Sequence, residues 1–176
     1  MDRPIRRTSD EKAPPRDRSI AFGKDMIGAI LAGRKTQTRR LMKVDRDGAA
    51  GPSPGAVGET LWVRERFASV VDREGVTKFI YAADGTPHTA HKVRWQMSIH
   101  MPRRASRMSV RVSGVRSERL QEISDADVLA EGCPGDRLVE PLAWFRQLWD
   151  GLSPDGAKWT DNPAVWVLDF ERIAPA

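Results

Sequence analysis

The chain has 176 residues, of which 40% are hydrophobic and 30% are charged, and its formal net charge is +5. This length fits one domain, and the apolar content suffices for a hydrophobic core, which argues against a wholly disordered protein. The single cysteine, Cys133, excludes an internal disulfide and a four-cysteine zinc site. No apolar run approaches the roughly 18–20 residues of a membrane span, and the N-terminal residues lack the apolar stretch of a secretory signal. We therefore expect a cytoplasmic protein without membrane association.

Residues 1–18 combine many charges with three prolines and one isoleucine. Such a segment can bury little apolar surface, so we expect a flexible arm, with one domain over 19–176. The excess of positive charge in the whole chain is compatible with a polyanionic partner but does not establish one.

Three helices are predicted from apolar residues at helical spacing. The first follows Lys24 and ends before Gly33, and its apolar stripe is Met26, Ile27, Ile30 and Leu31. The second begins after Ser124, which stands in a capping-box-like spacing with Asp127, and ends near Glu131. The third covers about 142–152, with one apolar face formed by Leu142, Phe145, Trp149 and Leu152.

Strands are predicted over residues 59–65, 78–82, 107–112 and 165–170, the third with one basic, solvent-facing side. Residues 45–58 are rich in glycine and proline and indicate a loop. Short strands with interspersed helices favour an α+β fold with a mostly antiparallel sheet or a small barrel.

The segment 34–40, Arg-Lys-Thr-Gln-Thr-Arg-Arg, directly follows the first helix. A lysine whose pKa is lowered by burial or by cationic neighbours can act as a base, and a nearby threonine hydroxyl can then attack a carbonyl. In a regular strand Lys35 and Thr38 would point to opposite faces, so joint action requires a turn or bulge between them. The alternative interpretation of this segment is a solvated basic run.

Glu131 lies at the predicted end of the second helix, beside Gly132. A carboxylate there meets the unfavourable end of the helix dipole, which suits an acid/base role. An ordinary surface glutamate is the alternative.

Residues 95–107 combine a tryptophan, hydroxyl groups, a histidine and three arginines. Stacking together with guanidinium contacts is how proteins hold single-stranded RNA or a free base. The alternative is a connecting loop with Trp95 and Met101 packed inward. Trp62, followed by Arg64, is a further candidate for stacking. His88 and His91 alone do not make a zinc site, and we expect neither a metal nor a cofactor.

Taken in order, five blocks of this chain resemble the ASCH domain, in particular its longer, phage- and prophage-associated branch. The blocks are GAILAGRKTQTRR (28–40), ETLWVRE (59–65), SIHMPRRASR (98–107), LQEISDADVLAEG (120–132) and NPAVWVLDF (162–170). The resemblance spans about residues 19–173. It implies a small PUA-like β-barrel with flanking helices, a cleft lined by the segment after the first helix, and the cytoplasm of a bacterial or phage-infected cell.

One branch of ASCH proteins hydrolyses the amide of N4-acetylcytidine with a lysine and a threonine three residues apart and a distant glutamate. The resemblance places these roles on Lys35 as base, Thr38 as nucleophile and Glu131 as acid/base on the leaving amine. The loop at 45–58 and the 95–107 segment are additions to that shorter branch, so the substrate can differ from acetylcytidine.

Other ASCH proteins bind or cleave RNA, so the sequence does not decide whether this protein is an enzyme. The alternatives are a non-catalytic RNA-binding module and a metal-independent ribonuclease with Lys35 and His100 as base and acid. RNA or a modified nucleoside is the expected partner, and no protein partner is indicated. The residues expected to bind substrate or RNA are Arg34, Arg39, Trp62, Arg64, Trp95, Ser98, His100, Arg103 and Arg107.

Overall fold

The computed structural model describes residues 17–85, 93–135 and 140–173. The main sheet has five strands in the order β1-β3-β6-β7-β2, and β4 and β5 form a separate hairpin. The strands are β1 (Ser19–Ala21), β2 (Gln37–Leu41), β3 (Thr60–Arg64), β4 (Phe67–Val71), β5 (Thr77–Tyr81), β6 (Ser109–Arg119) and β7 (Ala164–Ile173). Among the described strand pairs, only β1–β3 is parallel. The expected α+β class with a mostly antiparallel sheet is confirmed, and the arrangement is consistent with a small PUA-like fold.

Three helices flank the sheet at the predicted places: α1 (Lys24–Leu31), α2 (Asp125–Ala130) and α3 (Pro141–Leu152). Gly33 adopts the left-handed conformation after α1, with φ of 73°, as a helix-ending glycine does. Ser124 caps α2 by accepting a hydrogen bond from the Asp127 amide at 3.2 Å. One expectation for α3 is wrong, since Leu152 is 74% exposed and does not share the buried face of Phe145.

The helices bury their apolar stripes against the sheet in two adjoining clusters. In the first, Ile27 and Ile30 of α1 pack with Leu61, Val110 and other residues of β3, β6 and β7. Each buried aliphatic side chain of this size contributes about 1.5–3 kcal/mol. In the second, Val128 of α2 and Phe145 and Trp149 of α3 pack against β7. The Thr36 amide also donates a hydrogen bond to the Ala130 carbonyl at 2.8 Å, which places the end of α2 beside the start of β2.

The sheet curves without closing into a complete barrel. No backbone ladder joins the edge strands β1 and β2 among the described strands. Instead, Arg40 of β2 donates a hydrogen bond from Nη2 to the Ala21 carbonyl of β1 at 2.8 Å. Where the expected barrel would close, the described strands β1 and β2 are therefore linked by a side chain and not by a backbone ladder.

The predicted arm and the two histidines of the polar loop, His88 and His91, lie outside the described residues, apart from Asp17 and Arg18. Arg18 donates to Glu59 at 3.1 Å and to the Ser53 carbonyl at 3.0 Å. The last residue assigned to the arm is thus bound to the domain.

Candidate active site

Lys35 lies in the short connection between α1 and β2, before the strand begins at Gln37. The Ala29 carbonyl accepts hydrogen bonds from the amides of both Arg34 and Lys35, at 2.9 and 3.1 Å. Lys35 therefore lies before β2, in this wrapped connection, whereas Thr38 lies within the strand. Lys35 is 3% exposed and Thr38 is 1% exposed, so the alternative of a solvated basic run is wrong.

Glu131 is the residue at which α2 ends, and its side chain is buried at 3% exposure. Gly132 follows with φ of 100°, and a Cβ there would lie 3.0 Å from both the Ala29 and the Lys35 Cβ atoms. Only glycine combines this φ with such a close approach. The end of α2 therefore packs directly against α1 and brings Glu131 to Lys35, which lies 96 residues earlier in the chain.

The ammonium group of Lys35 is fully bound. Its Nζ donates to the Gln37 carbonyl at 2.8 Å, to the Glu131 carbonyl at 2.8 Å and to Glu131 Oε2 at 2.7 Å. These three acceptors match the three protons of a lysine ammonium. Desolvation by burial lowers the pKa of Lys35, although the Glu131 carboxylate acts in the opposite direction and Arg40 and Arg39 add to the lowering.

Arg39 holds the other carboxylate oxygen of Glu131, with Nη1 donating to Oε1 at 3.2 Å. Its remaining donors bind Gln37 Oε1 at 2.6 Å, Glu118 Oε1 at 2.6 and 2.9 Å and Asp127 Oδ2 at 3.0 Å. All five N–H groups of a guanidinium are thereby used. Arg39 was expected to bind substrate, but this geometry supports a role in positioning Glu131.

A second set of polar groups holds Gln37 and Arg39 from the outside. Gln37 Nε2 donates to Asp127 at 2.9 Å and to Asp169 at 2.7 Å. Arg116 binds Asp127, Asp169 and Glu118 at 3.1–3.2 Å. The buried charges are therefore part of a continuous network that runs from the protein surface to Lys35, which offsets the cost of burying them.

One cavity of about 610 Å³ brings together Lys35, Thr38 and Glu131, and Arg39 and Ser98 also line it. This volume is in the range of small-molecule sites. Apolar side chains form much of its wall: Phe22, Met26, Met97, Phe145, Leu148, Trp149 and Leu152. The cavity therefore has a polar patch, formed by Lys35, Thr38, Arg39 and Glu131, within largely apolar walls.

The other predicted binding residues do not line this cavity. Arg34 is exposed and donates to the Gly132 carbonyl at 3.1 Å. Arg107 is engaged by Glu65 at 2.8 and 2.9 Å and by Asp84 at 2.7 Å. His100 is exposed on a 3₁₀ turn over Ser98–His100. The geometry therefore does not bring His100 together with Lys35.

A separate set of predicted residues, Trp62, Arg64 and Arg103, forms an aromatic–guanidinium surface on the side of β3 that faces away from the core. The guanidinium carbons of Arg64 and Arg103 lie 6.0 and 5.8 Å from the Trp62 ring centroid. Trp62 Nε1 and Arg64 Nε are buried without a hydrogen-bond partner among the described residues. Trp95 is half-buried in the segment before the 3₁₀ turn.

Sequence reasoning missed three cations that line the cavity: Lys24, Arg40 and Arg66. The spacing could have predicted Arg40, because it stands two residues after Thr38, and side chains two apart in a strand share a face. Arg66 and Lys24 come from the ends of β3 and α1, which only the tertiary fold brings together.

Within the described ranges, no group of three or more His, Cys, Asp or Glu residues could hold a metal ion. No helix among those same residues is long and apolar enough to cross a membrane.

Comparison with solved structures finds two similar chains. Protein EF3133 from Enterococcus faecalis, described under DUF984, has a TM-score of 0.47 and 12% identity, covering 89% of this chain and 81% of that one. An ASCH domain from Lactobacillus crispatus has a TM-score of 0.39 and 14% identity, covering 84% of this chain and 70% of that one.

An ASCH domain is thus among the structures that this chain is similar to, as the sequence resemblance anticipates. No protein-family model matches the chain, and no curated protein matches it. Because both TM-scores lie below 0.5, neither likeness carries an argument about activity or substrate.

Proposed function

We propose that this protein hydrolyses the N4-acyl amide of a modified cytidine, with Thr38 as nucleophile, Lys35 as base and Glu131 as acid. The observation that carries the proposal is the convergence of these three side chains on one cavity, with Lys35 Nζ 2.7 Å from Glu131 Oε2. The sequence resemblance to the ASCH domain supports the same assignment independently of the geometry.

The buried Lys35–Glu131 pair can supply a base and an acid at once. Moving one proton along their hydrogen bond converts the ion pair into a neutral amine and a carboxylic acid. Burial makes this transfer easier at Lys35, because desolvation lowers the pKa of its ammonium group.

The reaction then follows from these positions. Lys35 accepts the Thr38 hydroxyl proton as Oγ1 attacks the acyl carbon, and the bond from this carbon to the exocyclic nitrogen breaks as Glu131 gives its proton to that nitrogen. Cytidine leaves, and Lys35 and Glu131 return to the ion pair. Water then hydrolyses the threonine ester, releasing the carboxylic acid and restoring the hydroxyl.

RNA binding without turnover is the second candidate, favoured by the aromatic–guanidinium surface at Trp62, Arg64 and Arg103. Base stacking on an aromatic ring and contacts from guanidinium groups are typical of single-strand binding. The ribonuclease alternative has less support, because His100 lies outside the cavity lining while Lys35 lines it.

The proposal is tested by incubating the protein with N4-acetylcytidine and following cytidine by liquid chromatography. We expect Lys35→Ala and Thr38→Ala each to lower kcat/KM at least about 10³-fold, because each removes a group that reacts directly. Arg73→Gln, which changes an exposed residue in the β4–β5 turn, is the control. Full turnover by Thr38→Ala would contradict the nucleophile assignment, and absence of turnover by the parent protein would favour the RNA-binding candidate.

The pH profile of kcat/KM examines the Lys35–Glu131 pair separately. The active pair shares one proton between the two side chains, so losing that proton at high pH removes the acid and the rate falls. Because burial lowers the pKa of Lys35 from its ordinary value, we expect the fall to begin below pH 10.5. A rate that keeps rising above pH 10.5 would contradict the shared proton.

A further inference from the structure

The charges around the cavity are strongly unbalanced. Its described lining contains five cationic side chains and one carboxylate, Glu131, which is a formal excess of four positive charges. Glu131 binds Lys35 and Arg39. The remaining cations are Lys24, Arg40 and Arg66, and no ion pair of the described residues involves any of them.

Arg40 is the most constrained of these three cations. Its guanidinium is half-buried, 5.1 Å from the Phe22 ring centroid, and donates to the Ala21 carbonyl at 2.8 Å and the Arg39 carbonyl at 3.4 Å. Both of these acceptors are neutral, and among the described residues Arg40 forms no ion pair; Glu131 attracts its charge only at longer range, against desolvation by burial, which lowers the pKa of Arg40. A desolvated guanidinium of this kind favours a phosphate or carboxylate ligand.

Arg40 is held against the connection that leads into α1. Ala21 and Phe22 immediately precede Gly23, the N-cap residue, which has no side chain to accept the first amide hydrogens of the helix. Lys24 begins the helix and is exposed at the same cavity, and exposed Arg66 approaches from the end of β3. One side of the cavity therefore combines three unpaired cations with the positive end of a helix dipole.

We infer that the cavity binds a nucleotide rather than an uncharged nucleoside, with the phosphate on the side of Lys24, Arg40 and Arg66. The acylated base then lies at Lys35, Thr38 and Glu131, between the apolar walls. This inference rests on the proposed function for the identity of the base, while the phosphate preference comes from the unpaired cations alone.

Isothermal titration calorimetry at low salt tests the phosphate preference without requiring turnover. The probes are cytidine, cytidine 5′-monophosphate and inorganic phosphate. We expect the monophosphate to bind at least tenfold more tightly than cytidine, and inorganic phosphate to compete with the monophosphate. Equal affinity for cytidine and its monophosphate would overturn the inference.

Two variants assign the preference to the named cations. The double variant Lys24→Gln/Arg66→Gln changes two exposed residues and is expected to fold, and Arg40→Gln removes the half-buried guanidinium. Each should reduce the preference for the monophosphate at least fivefold, while Arg73→Gln retains it. A preference that survives in both variants would contradict the assignment.

A short oligoribonucleotide distinguishes the two sources of the phosphate. If the oligonucleotide binds more tightly than the monophosphate and loses its affinity in the same variants, the phosphate belongs to an RNA backbone and the mononucleotide assignment is overturned. Phosphate preference without hydrolysis of N4-acetylcytidine or its monophosphate would contradict the proposed function alone. Hydrolysis without phosphate preference would contradict this inference alone.

Discussion

The cavity floor, formed by Lys35, Arg39 and Glu131, and the aromatic–guanidinium surface both contain arginine, but their buried N–H donors differ in whether they have acceptors. At the floor, every N–H donor of Lys35 and Arg39 has an acceptor, so the buried charges are fixed in one geometry. At the surface, Trp62 Nε1 and Arg64 Nε are buried without a partner in the described part of the chain. Positive charge alone therefore does not identify a catalytic site. The preorganised region is the one in which every buried N–H donor has an acceptor.

Glu131→Gln, a change at the cavity floor, should cause the largest loss of folding stability. The amide cannot balance the charges of Lys35 and Arg39, and leaving buried charges unpaired costs about 3–5 kcal/mol. Chemical denaturation measures this loss, and Glu74→Gln, in the exposed β4–β5 turn, should change stability by less than about 0.5 kcal/mol. A loss below about 1 kcal/mol for Glu131→Gln would mean that the floor is not held together by this carboxylate.

Gly132→Ala should give the next largest effect, because it disturbs the floor through packing without removing a charge. The added Cβ would lie 3.0 Å from Ala29 and Lys35 in a backbone with φ of 100°, for an expected loss of about 2–4 kcal/mol.

Gly75→Ala is the matched control for Gly132→Ala. Its φ is 80°, and nothing among the described atoms lies within 4 Å of the added Cβ, so we expect only the backbone cost of about 1–2 kcal/mol. Equal losses in the two variants, measured by thermal unfolding, would show that close packing at Gly132 does not position Lys35.

Trp62→Phe, a change in the aromatic–guanidinium surface, should have the smallest effect on folding stability. The substitution removes an N–H that has no acceptor in the described structure and keeps an aromatic ring beside Arg64 and Arg103. We expect stability to change by less than about 1 kcal/mol in either direction, because no protein hydrogen bond is lost. A destabilisation above about 2 kcal/mol in urea denaturation would reveal a structural role for this N–H group.

The sequence predicts the elements that carry a clear apolar period. The Ser124 cap of α2 and the apolar run of β7 lie where their patterns indicate. Met26, Ile27 and Ile30 of the α1 stripe are buried as predicted, but the expectation for Leu31 at the end of the helix is wrong, since it is 37% exposed. Strand β2 escapes prediction because its pattern is charged, and charge ordinarily indicates solvent exposure. Its burial depends on acidic side chains from β6 and α2, which lie 79–92 residues further along the chain.

The candidate site also has a part that the sequence predicts and a part that it does not. Lys35, Thr38 and Glu131 are predicted from the sequence resemblance. The acceptors that bind every N–H group of Arg39 come from distant parts of the chain, and no local pattern encodes them. Arg107 illustrates the opposite case: its position in a basic segment predicts ligand binding, and the fold places it in ion pairs with Glu65 and Asp84. The charge of a residue can be read from the sequence, but the presence of an intramolecular partner requires the fold.

Ala21 and Arg40, which meet at the seam between β1 and β2, line the main cavity and also a neighbouring one of about 460 Å³. In a barrel closed by a backbone ladder, several hydrogen bonds would have to break before the wall could widen. Here the described contact between these two residues is one side-chain hydrogen bond, so widening the wall at this point breaks that bond and leaves the strand ladders intact.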